Sequence, residues 1–159
     1  MQDLNIAVVQ CELVWEDPGA NLYFFDKCLD RMDPQADLVV LPEMFSTGFS
    51  MNARNLAQEM NGPAVEWIRK KAVDRGVDIT GSLIIREAGQ FYNRLVWAKP
   101  DRTLVTYDKK HLFRMSGEDK IYSAGSQVVT VTLKGWKIRP FICYDLRFPE
   151  LYRIMVTRG

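Results

Sequence analysis

What this sequence lacks narrows it first. Its 159 residues contain one histidine, His111, and three cysteines, Cys11, Cys28 and Cys143, with no CxxC spacing. An odd cysteine count without paired spacing argues against a disulfide framework, and a lone histidine argues against a zinc centre. No apolar run approaches the ~20 residues that a membrane-crossing helix needs. The opening "MQDLNIAVVQ" has no basic stretch leading into a long apolar one, so no signal peptide is expected. Charge of one sign is not in excess either: 21 Lys and Arg stand against 20 Asp and Glu. That balance offers no field for nucleic acid or for an anionic membrane. Repeats, low-complexity tracts and linkers are missing as well. What remains is 47% hydrophobic and 26% charged, which suits a single globular domain over 1–159 with a real core, in a reduced, cytoplasmic setting.

The apolar pattern predicts an ordered series of elements. "LNIAVVQ" (4–10) reads as a buried strand. "ANLYFFDKCLDRM" (20–32) puts Leu22, Phe25, Leu29 and Met32 on one helical stripe, and "DPQAD" breaks it. "DLVVLPEMF" (37–45) is the continuous apolar run of a buried parallel strand. "GPAVEWIRKKAVDRG" (62–76) carries Pro at the first helical position and Gly just past the end. "VDITGSLIIRE" (77–87) is a strand. Two hairpins follow, one turning at Pro100-Asp101 and one at Lys134-Gly135. A last helix opens at Pro149. The order β-α-β-α-β, then mostly β, then a helix, fits an α/β or α+β layered fold with helices on at least one face. The final helix has no strand after it. In βαβ logic Gly159 would cap it and a strand would come next, so the chain reads as the N-terminal part of a longer polypeptide; the alternative is a natural ending on a docked helix.

Three polar residues stand where apolar runs end: Glu43 after "DLVVLP", Lys109 after "TLVTYD" and Cys143 after "RPFI". Ligands of open α/β sheets gather off the carboxyl ends of strands. A carboxylate there can take a thiol's proton, and an ammonium can favour thiolate and hold an oxyanion. The positive end of the helix opening near Pro149 would also favour thiolate at Cys143. Each residue has a plain alternative. Cys143 can be a buried small hydrophobe, and Glu43 and Lys109 can face solvent. His111, two residues past Lys109, is either the base of a Cys-His pair or an ordinary polar contact at a loop start.

The segments "LPEMFSTGF" (41–49), "YDKKHLF" (107–113) and "ICYDLRFPE" (142–150) resemble, in order and separation, the three signature segments of the nitrilase superfamily of carbon–nitrogen hydrolases. The resemblance covers all 159 residues, beginning with "NIAVVQ" as the first strand. It implies part of a four-layer α-β-β-α sandwich, without the C-terminal portion, and a homodimer in the full-length form. It implies Glu43 as general base, Lys109 as oxyanion stabiliser, Cys143 as nucleophile and Glu118 as a second glutamate that orients Lys109 or assists the base. It also implies thioester chemistry on a small amide substrate with no metal or organic cofactor. "CYDLRFPELYR" and "LPEMFSTGFSM" are most similar to the omega-amidase branch, which acts on dicarboxylate monoamides such as 2-oxoglutaramate. Around such a substrate, Tyr144 would lend its N–H and Arg147 would read the free carboxylate or else pair with an acid such as Glu150. Phe45, Phe49, Met115 and Tyr144 would line a small pocket or else belong to the core. Nitrile and carbamoyl chemistry use the same triad, and a non-catalytic binding or assembly domain is the competing reading.

Overall fold

Helix boundaries follow their local signals. The computed structural model describes residues 2–32 and 35–156. In α1 (Pro18–Asp30), the Asp17 side chain caps the helix by accepting from the Ala20 N–H, and Pro18 supplies a preset φ in the first turn. In α3 (Pro63–Arg75), Pro63 opens the helix and Gly76 closes it at φ 64°, a left-handed conformation that glycine adopts without penalty. A short helix, α2 (Ala53–Leu56), had no periodic signal in the sequence.

Five strands form one sheet in the order β1-β2-β3-β4-β5. Strands β1 (Ile6–Val8), β2 (Leu38–Val40) and β3 (Asp78–Glu87) are parallel, joined through α1 and α3. Strands β4 (Gln90–Ala98) and β5 (Leu104–Asp108) continue antiparallel. Alternation along the strands divides the core. One face carries Val39, Ile79, Leu83, Ile85, Val96 and Ala98 against Phe25 and Leu29 of α1 and Val65, Ile68 and Ala72 of α3. The other carries Leu38, Leu95, Trp97 and Tyr107 beneath Val131 and Ile142. Val131 opens the hairpin of β6 (Val131–Leu133) and β7 (Trp136–Ile138), which turns at Lys134 (φ 49°) and Gly135 (φ 81°). Two successive left-handed residues make the two-residue turn that matches strand twist.

Two expectations change. The first strand is not buried: Ile6 is 51% and Val8 70% exposed. They lie level with Leu38 and Val40 of β2, on the face whose apolar cover reaches β2 but not this edge. The second is that the apolar run "RPFI" does not end a strand. β7 stops at Ile138, residues 139–142 join no strand, and Cys143–Arg147 form a 3₁₀ turn before α5 (Pro149–Val156). The proposed cap at Gly159 lies outside the described residues. No helix among the described residues is long and apolar enough to cross a membrane.

Candidate active site

Glu43 is held by a turn bound to the sheet's middle strand. Past β2, Leu41 donates to the Thr80 carbonyl (2.7 Å), Met44 to Ser82 Oγ (2.8 Å) and Phe45 to the Ser82 carbonyl (3.1 Å). Met44 takes φ 47°. The segment lies so close that a Cβ on Gly81 would come within 2.9 Å of Leu41 and 2.8 Å of Phe45. Only glycine leaves room there.

Lys109 extends β5 by one step. Its N–H donates to the Asn93 carbonyl at 2.9 Å, and its own carbonyl accepts from Gly125 at 3.0 Å. Its side chain is fully buried. The ammonium donates to Glu43 Oε1 (2.7 Å) and to Glu118 Oε2 (2.9 Å) and Oε1 (3.1 Å), and lies 5.1 Å from the centre of the Phe49 ring. Burial works against this charge, but the two carboxylates outweigh it and hold the ammonium above its ordinary pKa.

Glu118 opens the short helix α4 (Glu118–Ile121) just after Gly117 at φ 79°. It is completely buried, and the Phe113 N–H (2.6 Å) completes its contacts. Asn93, also fully buried, donates from Nδ2 to Oε1 of both glutamates, at 2.7 Å for Glu43 and 3.0 Å for Glu118. The two carboxylates and one ammonium carry a net charge of −1.

Cys143 opens its turn at φ 40°. A side chain in this left-handed region costs about 1–3 kcal/mol and persists only where neighbours enforce it. The enforcing residue is Asp145, fully buried. It accepts from the Ile142 N–H (3.1 Å), the Tyr107 hydroxyl (2.7 Å) and the His111 N–H (2.8 Å), and its Oδ1 lies 3.0 Å from His111 Nδ1. One carboxylate thereby ties the cysteine turn to residues on either side of Lys109. Burial, then the Glu43 charge, push the Cys143 thiol above its ordinary pKa; Lys109 pulls it down by less. Lys109 acts toward thiolate, the direction the sequence suggested, but burial and the carboxylates outweigh it, and a 3₁₀ turn rather than α5 follows directly.

Asp145→Asn should lower stability by about 1–3 kcal/mol, because an amide N–H₂ cannot accept from the buried Ile142 N–H. Urea denaturation of both proteins checks this, and an unchanged midpoint would remove Asp145 from its clamping role.

The remaining candidates separate clearly. Phe49 lies beside the Lys109 ammonium. Tyr144 packs edge-on against Phe113 and Phe148, and its N–H has no hydrogen-bond partner among the described residues. Arg147 is exposed and makes no ion pair among the described residues, Glu150 included. Phe45 is corrected: it is fully buried between Phe25 and Trp67, in the helix-covered core rather than in a pocket wall. Met115 is 88% exposed. His111 is committed to Asp145 and stacks on Phe148 at 3.6 Å, which leaves Glu43 as the nearby carboxylate whose charge acts on the thiol. Sequence reasoning missed Asn93 and Asp145. Asn93 carried a signal, being a polar residue one alternation before Leu95 and Trp97 on a core-facing row; Asp145 carried none beyond its nearness to Cys143.

A buried Glu-Lys-Glu cluster beside a strained cysteine, on a mixed sheet backed by two helices, is set in a nitrilase-like α/β fold. The chain belongs to the carbon–nitrogen hydrolase family, which matches residues 5–159. It is 43% identical to the omega-amidase YafV of Yersinia enterocolitica over 94% of this chain and 57% of that protein. It is 34% identical to the 2-oxoglutaramate amidase of Bacillus subtilis over 98% of this chain and 61% of that one. Among solved structures, XC1258 of Xanthomonas campestris, a CN-hydrolase superfamily protein with an arsenic adduct in its active site, superposes with a TM-score of 0.92. It is 46% identical over 95% of this chain and 57% of its own. The amidase of Nesterenkonia sp. AN1, described with acrylamide added at its active-site cysteine, superposes with a TM-score of 0.85. It is 25% identical over 95% of this chain and 61% of that one. The chain thus spans about 57–61% of the length of these relatives.

Proposed function

We propose that this chain carries the catalytic groups of an omega-amidase, which hydrolyses the terminal amide of a small dicarboxylate monoamide such as 2-oxoglutaramate through a cysteine thioester. The observation that carries the reading is the hydrogen-bonded set Glu43–Lys109–Glu118 beside Cys143, whose thiol is pushed above its ordinary pKa by burial and then by the Glu43 charge. A thiolate formed beside two carboxylates would bring the cluster to −2. Passing the Cys143 proton to Glu43 keeps it at −1, so proton transfer accompanies attack. The sulfur bonds to the amide carbon and the carbonyl electron pair moves to oxygen. Lys109 and the free N–H of Tyr144 stabilise that oxyanion. When it collapses, the C–N bond breaks and Glu43 returns its proton to the departing nitrogen, releasing ammonia. Water then attacks the thioester with Glu43 again as base, and the thiol takes the proton back. Arg147, exposed and unpaired four residues past the nucleophile, is the proposed cation for the substrate's remote carboxylate.

The experiment mixes the protein, as its gene encodes it, with 2-oxoglutaramate or succinamate. Ammonia release is followed, together with the mass of the acid-quenched protein. An acyl adduct on the Cys143 peptide and ammonia from both amides are expected; neither appearing overturns the reading. Arg147→Ala should raise KM for these amides about 10-fold or more and leave hydrolysis of an uncharged amide nearly unchanged. Cytoplasmic location and assembly as a homodimer belong to the same proposal, the first because a thiol nucleophile needs a reducing compartment. Sedimentation reads the second.

A further inference from the structure

Among the described residues Asn93 is the one neutral side chain bonded to both glutamates, and it is placed at a cost. Its Nδ2 spends both hydrogens on carboxylate oxygens, while its Oδ1 is buried with no partner among the described residues. An orphaned buried acceptor is disfavoured. The flipped amide would be worse, because its oxygen would then meet two carboxylates. The orientation is therefore set by the glutamates. Its backbone is fixed as well: Asn93 pairs with Ile84 in the β3–β4 ladder, and its carbonyl takes the Lys109 N–H. The bonds from Asn93 and Lys109 to Glu43 both reach Oε1. Oε2 is left for proton transfer.

We propose that Asn93 is a positioning residue. Anchored in the sheet, its amide grips Oε1 of both glutamates, holds them as ionised neighbours around Lys109, and keeps Oε2 of Glu43 as the reactive oxygen. It touches neither nucleophile nor substrate and acts through Glu43. The charged or titratable groups around this carboxylate are Lys109, Glu118, Cys143 and, from α4's end, Tyr122. A donor withdrawn from a carboxylate leaves its negative charge less compensated, so the neighbouring thiolate is disfavoured.

The turnover arm of the test rests on the amidase reading; the alkylation arm does not. Asn93→Leu is close in shape and donates nothing. In this variant the pH midpoint for alkylation of Cys143 by iodoacetamide should rise by roughly one pH unit. On an omega-amide substrate kcat should fall about 10–100-fold with KM within about threefold. In a Glu43→Gln background the midpoint shift should shrink to less than half, because the group that transmits it is gone. Asn93→Ser, which keeps one donor, should shift the midpoint in the same direction by less, and it serves if the leucine variant does not fold. An unmoved midpoint in either variant, or an equal shift with and without Glu43, overturns the proposal. A shift that stands while wild type hydrolyses no amide would leave Asn93 in place and defeat only the amidase reading.

Discussion

Cys143→Ala and Glu43→Gln should each lower kcat/KM by at least about 10⁴-fold, and they should fail in different ways. Alanine removes the sulfur proposed to form the thioester, so no acyl adduct and no alkylation at position 143 are expected. Glutamine leaves the thiol and improves its resting reactivity. Burial and then the Glu43 charge raise the Cys143 pKa, whereas Lys109 lowers it. With the glutamate neutralised, Lys109 acts with less opposition and the thiolate fraction at pH 7 rises. Glu43→Gln should therefore react with iodoacetamide several-fold faster than wild type while hydrolysing almost nothing. Amide hydrolysis needs more than a thiolate, since the departing nitrogen must receive a proton and the attacking water must lose one. Alkylation and ammonia release measured side by side on the three proteins check the separation. An alkylation rate that falls with the hydrolysis rate would mean that Glu43 activates the thiol in the ground state, contrary to the charge balance drawn here.

The sequence made some of this arrangement legible and hid the rest for physical reasons. Pro63 and Gly76 bracket α3 because their effects are local: a preset φ at one end and a left-handed residue at the other. Glu43, Lys109 and Cys143 could be picked out because a charged or thiol group at the end of an apolar run is locally anomalous. Glu118 was legible only through family resemblance, since "SGEDK" reads as an exposed turn and its complete burial comes from Lys109, Asn93 and the Phe113 N–H closing over it. Phe45, left open between pocket wall and core, was undecidable for the converse reason. It follows Glu43 by two positions, but Met44 at φ 47° turns the chain there, and Phe45 packs against Phe25 and Trp67 while Glu43 goes to Lys109. Asp145 depends wholly on tertiary contact, with partners at positions 107, 111 and 142. The resting state of Cys143 is likewise not a property of its own segment. It depends first on burial and then on the carboxylates the fold brings near, and neighbours in sequence reveal neither.

Lys109→Met should both slow the enzyme and change how its stability depends on pH. Losing one oxyanion donor costs about 10²–10³ in rate, and the cation beside the thiol goes with it, so kcat/KM should fall by at least about 10³-fold. The stability effect comes from what stays behind. Glu118 is fully buried, Glu43 mostly so, and without the ammonium they face each other with only Asn93 and the Phe113 N–H as donors. Removing one member of a buried ionic set costs about 3–5 kcal/mol when the partner charges remain. The variant can relieve this by binding a proton between the two glutamates, which raises a folded-state carboxyl pKa above the unfolded value of about 4.3. The sign follows from linkage. In that range the folded state holds more protons than the unfolded one, so stability is greatest at low pH and declines as pH rises through the raised value. In wild type, Lys109 behaves differently. Its pKa is raised, so its contribution is whole below the unfolded lysine value of about 10.4 and is lost only as pH climbs through the folded one. Urea midpoints between pH 5 and 8 should therefore fall with pH in Lys109→Met more steeply than in wild type, and Lys109→Met,Glu118→Gln should recover much of the loss at pH 8. If the single variant's midpoint simply runs parallel to wild type, the two glutamates are not charged neighbours held together by this lysine, and the charge balance that makes Glu43 the carrier of the Cys143 proton fails with them.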